Sequence, residues 1–281
     1  MYQSLETLYQ RGVTEIIIDI VGGNGGYAGV GSDFAQLFFP ENSSFDRTLH
    51  FDFRVNPKIQ QLSAKVFSST KGTWPQQGNM FPISGGLFYD SSRFFDLANN
   101  RSYTNNSLFL DTVSQYRNGR QAVYTKRTTL NPVTYPTRPN VAKYPWTNNR
   151  DRLRIVTDNR CLSVCSHVAN ILANGYKVKT YGIGGITGEP LSKYEAAVGF
   201  ATALQSVNGI YALANMSSGI ADLPYQGDLT FSVGELFAPG STVPLEFDSS
   251  QYPTDFRLDF DPVNARSREA LWTQVARAAW N

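Results

Sequence analysis

Cysteine and histidine are scarce in this 281-residue chain: it holds Cys161, Cys165, His50 and His167, and no others of either type. Two cysteines exclude a disulfide-dense scaffold. Two histidines mean that any imidazole base has only two candidates. Charge is thin as well, with charged residues at 17% against a usual share of about 25%. Lys and Arg number 25 against 23 for Asp and Glu, a net charge of +2, and no long basic run occurs. No nucleic-acid partner is expected from that balance. No apolar stretch approaches the ~20 residues needed to cross a bilayer, so no membrane span is expected. The amino end, MYQSLETLYQRG, has Glu6 inside it and no apolar core region, so it does not read as a signal peptide.

What is present suffices for a core: 41% hydrophobic and 13% aromatic residues exclude wholesale disorder. A chain this long buries roughly 75% of its extended surface and needs no metal or disulfide to fold. Asn, Ser, Thr and Tyr carry much of the polarity. Four N-x-[ST] glycosylation acceptors, Asn42, Asn100, Asn105 and Asn215, lean toward a secreted or extracellular protein.

The first helix is expected over Tyr2–Gln10, with Leu5 and Leu8 on one face and Arg11–Gly12 ending it. GVTEIIIDI then reads as a central strand covered on both faces. It breaks into GGNGGYAGVG, and an amphipathic helix follows around Ser32–Phe39, stopped by Pro40. From about 41 to 149 the chain is polar, aromatic and rich in Pro, Gly and Asn, and reads as an insertion. Within it, Leu49, Phe51, Phe53 and Val55 alternate as in a half-buried strand, Lys71–Gly86 reads as a long loop, and the four-proline stretch Asn131–Trp146 reads as a surface connection. RLRIVTD is a strand, NRCLSVCSHVANILANG a sharp turn into a helix ending at Gly175, and KVKTYG a second strand. Lys193–Leu204 fits a helix, and the segment from Ser206 a strand or hairpin piece. The closing helix is expected over about 264–280, with Asn264 as N-cap and Leu271, Trp272, Val275 and Ala279 facing the core. Strands feeding helices twice make an α/β protein, and both glycine-rich breaks fall at strand ends, where such folds carry their chemistry.

Ser163 carries the strongest chemical signal. It follows a buried strand within a few residues and starts a helix. A hydroxyl there is exposed, and free amides, Val164 N–H first, point at the same space. The same position also suits a plain N-cap. Gly22–Gly26 can bring a second amide close, or can be a tight turn before a helix. GGNGGYAGVG fits neither G-x-G-x-x-G nor G-x-x-x-x-G-K-[ST], so nucleotide binding is not indicated. Cys161 and Cys165 read as small buried thiols. A disulfide between them requires the backbone to leave helical geometry, and a cysteine nucleophile is a lesser alternative. With one nearby histidine they make too few ligands for a metal. For a base, His167 lies one turn after Ser163, and His50 opens a strand.

The chain resembles the tail-specific (carboxyl-terminal-processing) serine peptidases, in a fungal secreted branch similar to the chlamydial protease-like activity factor. The resemblance rests on GVTEIIIDIVGGNGGYAGVGSDFAQLFFP, TDNRCLSVCSHVANIL, KTYGIGG, PLEF at Pro244–Phe247, DFRLDFDP and the Trp-containing last helix, in that order. It implies a ClpP/crotonase-like ββα core with a long polar insertion between the first helix and the nucleophile strand, all in one partial catalytic domain over 1–281. It also implies a polypeptide substrate, no cofactor, and hydrolysis through an acyl-enzyme on Ser163. Val164 and Gly25 or Gly26 would be the oxyanion donors, with Glu246, or its rival Glu235, as orienting acid. Ile183 stands where many members carry a lysine base, and Lys177 and Lys179 do not match that position. The branch with a Ser-His-Glu arrangement takes its histidine from ahead of the opening strand, so the chain reads as amino-terminally truncated or as a homologue that has lost its base. The alternative function is therefore an impaired homologue that binds peptides or apolar ligands, with Phe88, Tyr89, Phe94 and Phe95 as aromatic lining or as simple core. An acyl-CoA hydratase-like enzyme is a third class, disfavoured because neither loop offers CoA-binding charges.

Overall fold

The structure is a computed structural model. It describes residues 2–26, 31, 34–40, 50–70, 89–117, 119–130, 141–194, 204–206, 211, 216–217, 219, 230–232, 234–238, 240–245 and 252–280. The chain is a mixed α/β protein that divides into two compact units. The first takes Met1–Phe45, Thr134–Gly199 and Glu246–Asn281, and the second Asp46–Val133 and Phe200–Leu245.

Along the chain run β1 (Ile16–Asp19), β2 (His50–Phe53), β3 (Phe94–Asp96), β4 (Arg101–Ser102), β5 (Thr112–Arg117), β6 (Arg120–Thr125) and β7 (Thr128–Leu130). After them come β8 (Leu153–Thr157), β9 (Lys179–Ile183), β10 (Leu204–Ser206), β11 (Thr230–Ser232), β12 (Gly234–Phe237) and β13 (Phe256–Leu258). The helices are α1 (Tyr2–Gln10), α2 (Pro57–Thr70), α3 (Ser107–Leu110), α4 (Val164–Ala169) and α5 (Arg268–Trp280).

In the first unit β1, β8, β9 and β13 form a parallel sheet in that order. α1 has the expected bounds. Gly12 at φ +76° turns its end, so that Gly12 N–H and Val13 N–H reach the carbonyls of Tyr9 and Leu8 at 2.9 and 3.1 Å. Val156, Tyr181 and Ile183 pack against Leu271 and Val275 of α5. The α5 helix also ties to β1: Arg268 and the Trp272 indole N–H both donate to the Asp19 carboxylate, at 3.0 and 2.8 Å.

Several expectations are corrected in this unit. The Ile-rich β1 is an edge strand among the described strands, paired to β8 alone, with only Ile18 fully buried. A continuous apolar run tells of parallel pairing and cover, not of position in the sheet. The N-cap of α5 is Ser267, whose Oγ accepts from Ala270 N–H at 3.2 Å. Asn264 is instead occupied with a turn, its Oδ1 accepting from Asp261 N–H at 2.9 Å. Trp272 is 40% exposed because its indole is drawn to Asp19. The end of the proline-rich stretch is packed, not superficial: Trp146 is fully buried, and Tyr144 donates to Glu6 at 2.8 Å.

The second unit holds an antiparallel sheet in the order β12-β2-β7-β3-β4, together with the β5–β6 hairpin and the β10–β11 pair. Its core is aromatic: Phe51, Phe53, Tyr89, Phe94 and Phe109 are all at most 2% exposed. Phe94 meets Phe53 edge-on at 5.1 Å. The expected alternation of β2 is present, but its polar face is covered too. Asp52 is fully buried and accepts from Arg127 at 2.6 and 3.0 Å and from Arg117 at 3.3 Å. Arg127 sits over the Phe237 ring, its guanidinium carbon 3.4 Å from the ring centre. Two guanidiniums paired to one buried carboxylate offset the cost of taking it out of water. Tyr89, Phe94 and Phe95 are buried and serve as core, while Phe88 lies outside the described residues.

The expected loop Lys71–Gly86 and most of the helix expected over Lys193–Leu204 also lie outside the described residues, and the helix expected over Ser32–Phe39 is shorter where it is described, giving way to a turn at Leu37. Phe34–Gln36 are helical, whereas Leu204 begins β10.

Candidate functional site

β8 delivers the chain to the candidate nucleophile through a turn held by its own polar side chains. Thr157 Oγ1 accepts from Asn159 N–H at 3.2 Å and donates to the Lys193 carbonyl at 3.0 Å. Asp158 Oδ1 accepts from Arg160 N–H at 3.1 Å and from Gly22 N–H at 3.0 Å. One carboxylate thus fastens the glycine-rich loop to the nucleophile turn. Sequence reasoning missed this role of Asp158; the signal was an Asp directly after the strand, a residue type that bonds nearby amides in turns.

Ser163 follows at φ 54° and ψ −128°, a conformation glycine adopts freely and serine only under strain. The strand-to-helix reversal forces it: α4 begins at the next residue, with the His167 N–H already bonded to the Ser163 carbonyl at 3.1 Å. Ser163 occupies the N-cap position, yet its side chain makes no capping bond. Ser166 Oγ instead donates to the Ser163 carbonyl at 2.7 Å. Among the described residues the Ser163 hydroxyl has no hydrogen-bond partner, and the residue is partly exposed. Val164, first in the helix, carries one of the amides for which an α-helix has no internal acceptor.

The glycine-rich loop lies directly against this turn. Gly23 bridges to Cys161, and its carbonyl accepts from Leu162 N–H at 3.0 Å. Gly25 sits at φ +92°, and a Cβ there would stand 2.5 Å from Ser163 Cβ and 3.0 Å from Ser163 Oγ. At Gly26 the same position is open. Of the two expected loop donors, Gly25 is therefore the one pressed on the serine. A Cβ at Gly31 would collide with Val164.

Cys161 and Cys165 form a disulfide across this turn, with Cα atoms 5.2 Å apart, and no free cysteine remains. The reading as two thiols and the cysteine-nucleophile alternative are both corrected. The bridge forms because Cys161 precedes the helix and Ser163 bends the backbone out of helical geometry between the two residues. It also reaches the glycine loop, since a Cβ on Gly23 would stand 2.6 Å from Cys165 Sγ.

Only the backbone amide of His167 is hydrogen-bonded to Ser163, at its carbonyl. His167 is 4% exposed, and burial holds its imidazole at a pKa of about 4, so it is neutral at ordinary pH. His50 opens β2 in the second unit. Glu246 lies outside the described residues. Glu235 accepts from Arg117 at 3.0 Å and Tyr124 at 3.4 Å, which makes it a partner in the Asp52 network. Ile183 is fully buried in β9. Lys193 has a lowered pKa through burial, partly countered by Asp255, but its Nζ bonds Asn174 at 3.2 Å. Asn174 lies in the π-helical turn Asn170–Gly175 that ends the helix Ser163 begins. Lys179 is paired to Asp255 at 2.7 Å.

Of the sequons, Asn100 and Asn105 are exposed, while Asn42 and Asn215 lie outside the described residues. Among the described residues no group of three His, Cys, Asp or Glu side chains is placed to hold a metal, and no helix is long and apolar enough to cross a membrane. No protein-family model, no curated protein and no solved structure matches the chain.

Proposed function

We propose that the protein is a serine-type peptidase that hydrolyses polypeptides through an acyl-enzyme on Ser163. The observation that carries this reading is the conformation of Ser163. It is a strained, partly exposed residue that starts a helix, makes no capping bond, and has a glycine-rich loop pressed on its side chain. A serine that served only to cap would use its hydroxyl on the helix amides. A strand-to-helix turn of this kind presents a nucleophile outward with helix amides beside it.

In the proposed reaction Ser163 Oγ adds to the scissile carbonyl and passes its proton to a general base. The Val164 amide, with an amide of the Gly23–Gly26 loop, receives the oxyanion. The C–N bond breaks, the amine leaves with the proton, and water then hydrolyses the ester. Among the described residues no side chain is hydrogen-bonded to the Ser163 hydroxyl, so the base is left unassigned. The resemblance to tail-specific peptidases extends the proposal to a ClpP/crotonase-like core around the parallel sheet. The Cys161–Cys165 bridge supports an oxidising, extracytoplasmic setting, as do the exposed sequons at Asn100 and Asn105.

The test is reaction with a fluorophosphonate probe, with the adduct mapped by mass spectrometry. An adduct on Ser163 that disappears in Ser163→Ala carries the reading. No adduct, combined with peptide binding unchanged by Ser163→Ala, replaces it with the impaired-homologue reading.

A further inference from the structure

The disulfide encloses the proposed nucleophile: Cys161 and Cys165 stand two residues either side of Ser163. The ring holds the positive-φ residue, and its wall is the glycine loop. Gly23 is bridged to Cys161, its missing Cβ leaves the room Cys165 Sγ requires, and Leu162 inside the ring donates to the Gly23 carbonyl. The two loops that must meet to form an oxyanion pocket therefore touch through the bridge itself. Cys161 is fully buried and Cys165 is the partly exposed partner, so attack by a thiolate falls on the Cys165 side, with Cys161 as leaving thiol.

We infer that the Cys161–Cys165 disulfide is the positioning element of the Ser163 site and makes its reactivity redox-dependent. This rests on the peptidase reading. The reductant is a dithiol: its two sulfurs become joined while the Cys161–Cys165 bond opens to two thiols, two electrons and two protons passing from one pair to the other. Two thiols cannot remain at bonding distance, and the Gly23 side of the pocket has no free space. The separation is taken up by the turn, which lets Ser163 relax from φ 54° and withdraw from Gly25. A displacement of about 1 Å at a reacting group costs on the order of a hundredfold in rate.

The experiment compares the oxidised chain, the chain reduced by a dithiol, the reoxidised chain and the Cys161→Ser/Cys165→Ser variant. Each is followed by fluorophosphonate labelling of Ser163, with the maximal rate separated from probe affinity, and by amide hydrogen exchange of residues 22–25 and 161–165. The expected result is a maximal labelling rate roughly a hundredfold lower on reduction, probe affinity within a few-fold, faster exchange confined to these two segments, and full recovery on reoxidation. The double variant should match the reduced chain and ignore the reductant. If it does not fold, the reduced and reoxidised chain carries the test. Equal labelling and equal exchange in both redox states overturn the inference while leaving the peptidase reading intact. Exchange that rises throughout the chain also overturns it, because the bridge would then be a general staple. No labelling in any state removes the peptidase reading and the redox control with it, whatever the exchange shows.

Discussion

Replacing Ser163 by glycine should stabilise the protein relative to replacing it by alanine. Neither variant has a hydroxyl, so the comparison isolates the backbone. At φ 54° and ψ −128°, a residue with a Cβ carries strain of about 1–3 kcal/mol. Glycine releases that strain. Against this, it returns about 0.4–1 kcal/mol of conformational freedom to the unfolded chain, and it gives up part of the contact between Ser163 Cβ and Gly25. The net expectation is about 1 kcal/mol in favour of Ser163→Gly, which corresponds to a melting temperature about 2–4 °C higher for a domain of this size. Urea unfolding of both variants, with equal slopes, measures the difference directly. An alanine variant as stable as the glycine variant, or more stable, would refute strain at this turn. It would also remove the physical reason for reading Ser163 as more than an N-cap.

Gly25→Ala should cost at least 2 kcal/mol, since it combines a positive φ with a Cβ driven into Ser163, and should reduce fluorophosphonate labelling by more than tenfold. Gly26→Ala meets open space and should change stability by no more than about 0.5 kcal/mol in the same denaturation assay. His167 is held neutral at a pKa of about 4, below its unfolded value, so the unfolded chain binds the proton more readily. Its stabilisation is complete above about pH 6.5 and falls as pH drops toward 4, by roughly 3 kcal/mol in all. A stability–pH profile of His167→Leu should lack that slope. Asp52→Ala leaves Arg117 and Arg127 without their buried partner and should destabilise the second unit by about 3 kcal/mol or more, visible as an earlier unfolding transition.

Most of the first unit was legible because its signals are local. The bounds of α1, the strands β8 and β9, and the reversal between β8 and α4 follow from apolar runs, glycines and spacing that sit within a few residues of one another. The pairing of Gly25 with Ser163 was legible only as chemistry: two loops at strand ends implied a common pocket, but the choice between Gly25 and Gly26 depends on backbone angles that composition does not encode. The disulfide hid behind helical spacing. Cys161 and Cys165 read as one helical turn, and the positive φ of Ser163 that lets them bond is a product of the fold. The second unit was least legible. Its sheet recruits β12 from beyond residue 200 to pair with β2, Gly234 opposite Phe53, and no local pattern announces a partner so distant. Asp52 was hidden for the same reason, because the arginines that bury it arrive from β5 and from the turn before β7.

The pairing of Phe51 with Thr128 bears on how the chain acquires this structure during synthesis. β1 must wait for β8, Ile16 beside Leu153, with more than a hundred residues between them. Left open, a loop of that length is slow to close and exposes two apolar edges meanwhile. The strands β2, β7, β3 and β4 and the β5–β6 hairpin are all translated before β8 emerges. Once they pair, Phe51 and Thr128 lie side by side, so residues 52–127 no longer add to the separation that β1 and β8 must close. On this view the excursion between the opening strand and the Ser163 turn is a folding clasp. Variants that weaken β2–β7 pairing should slow the appearance of the Ser163 site more than they lower its final stability.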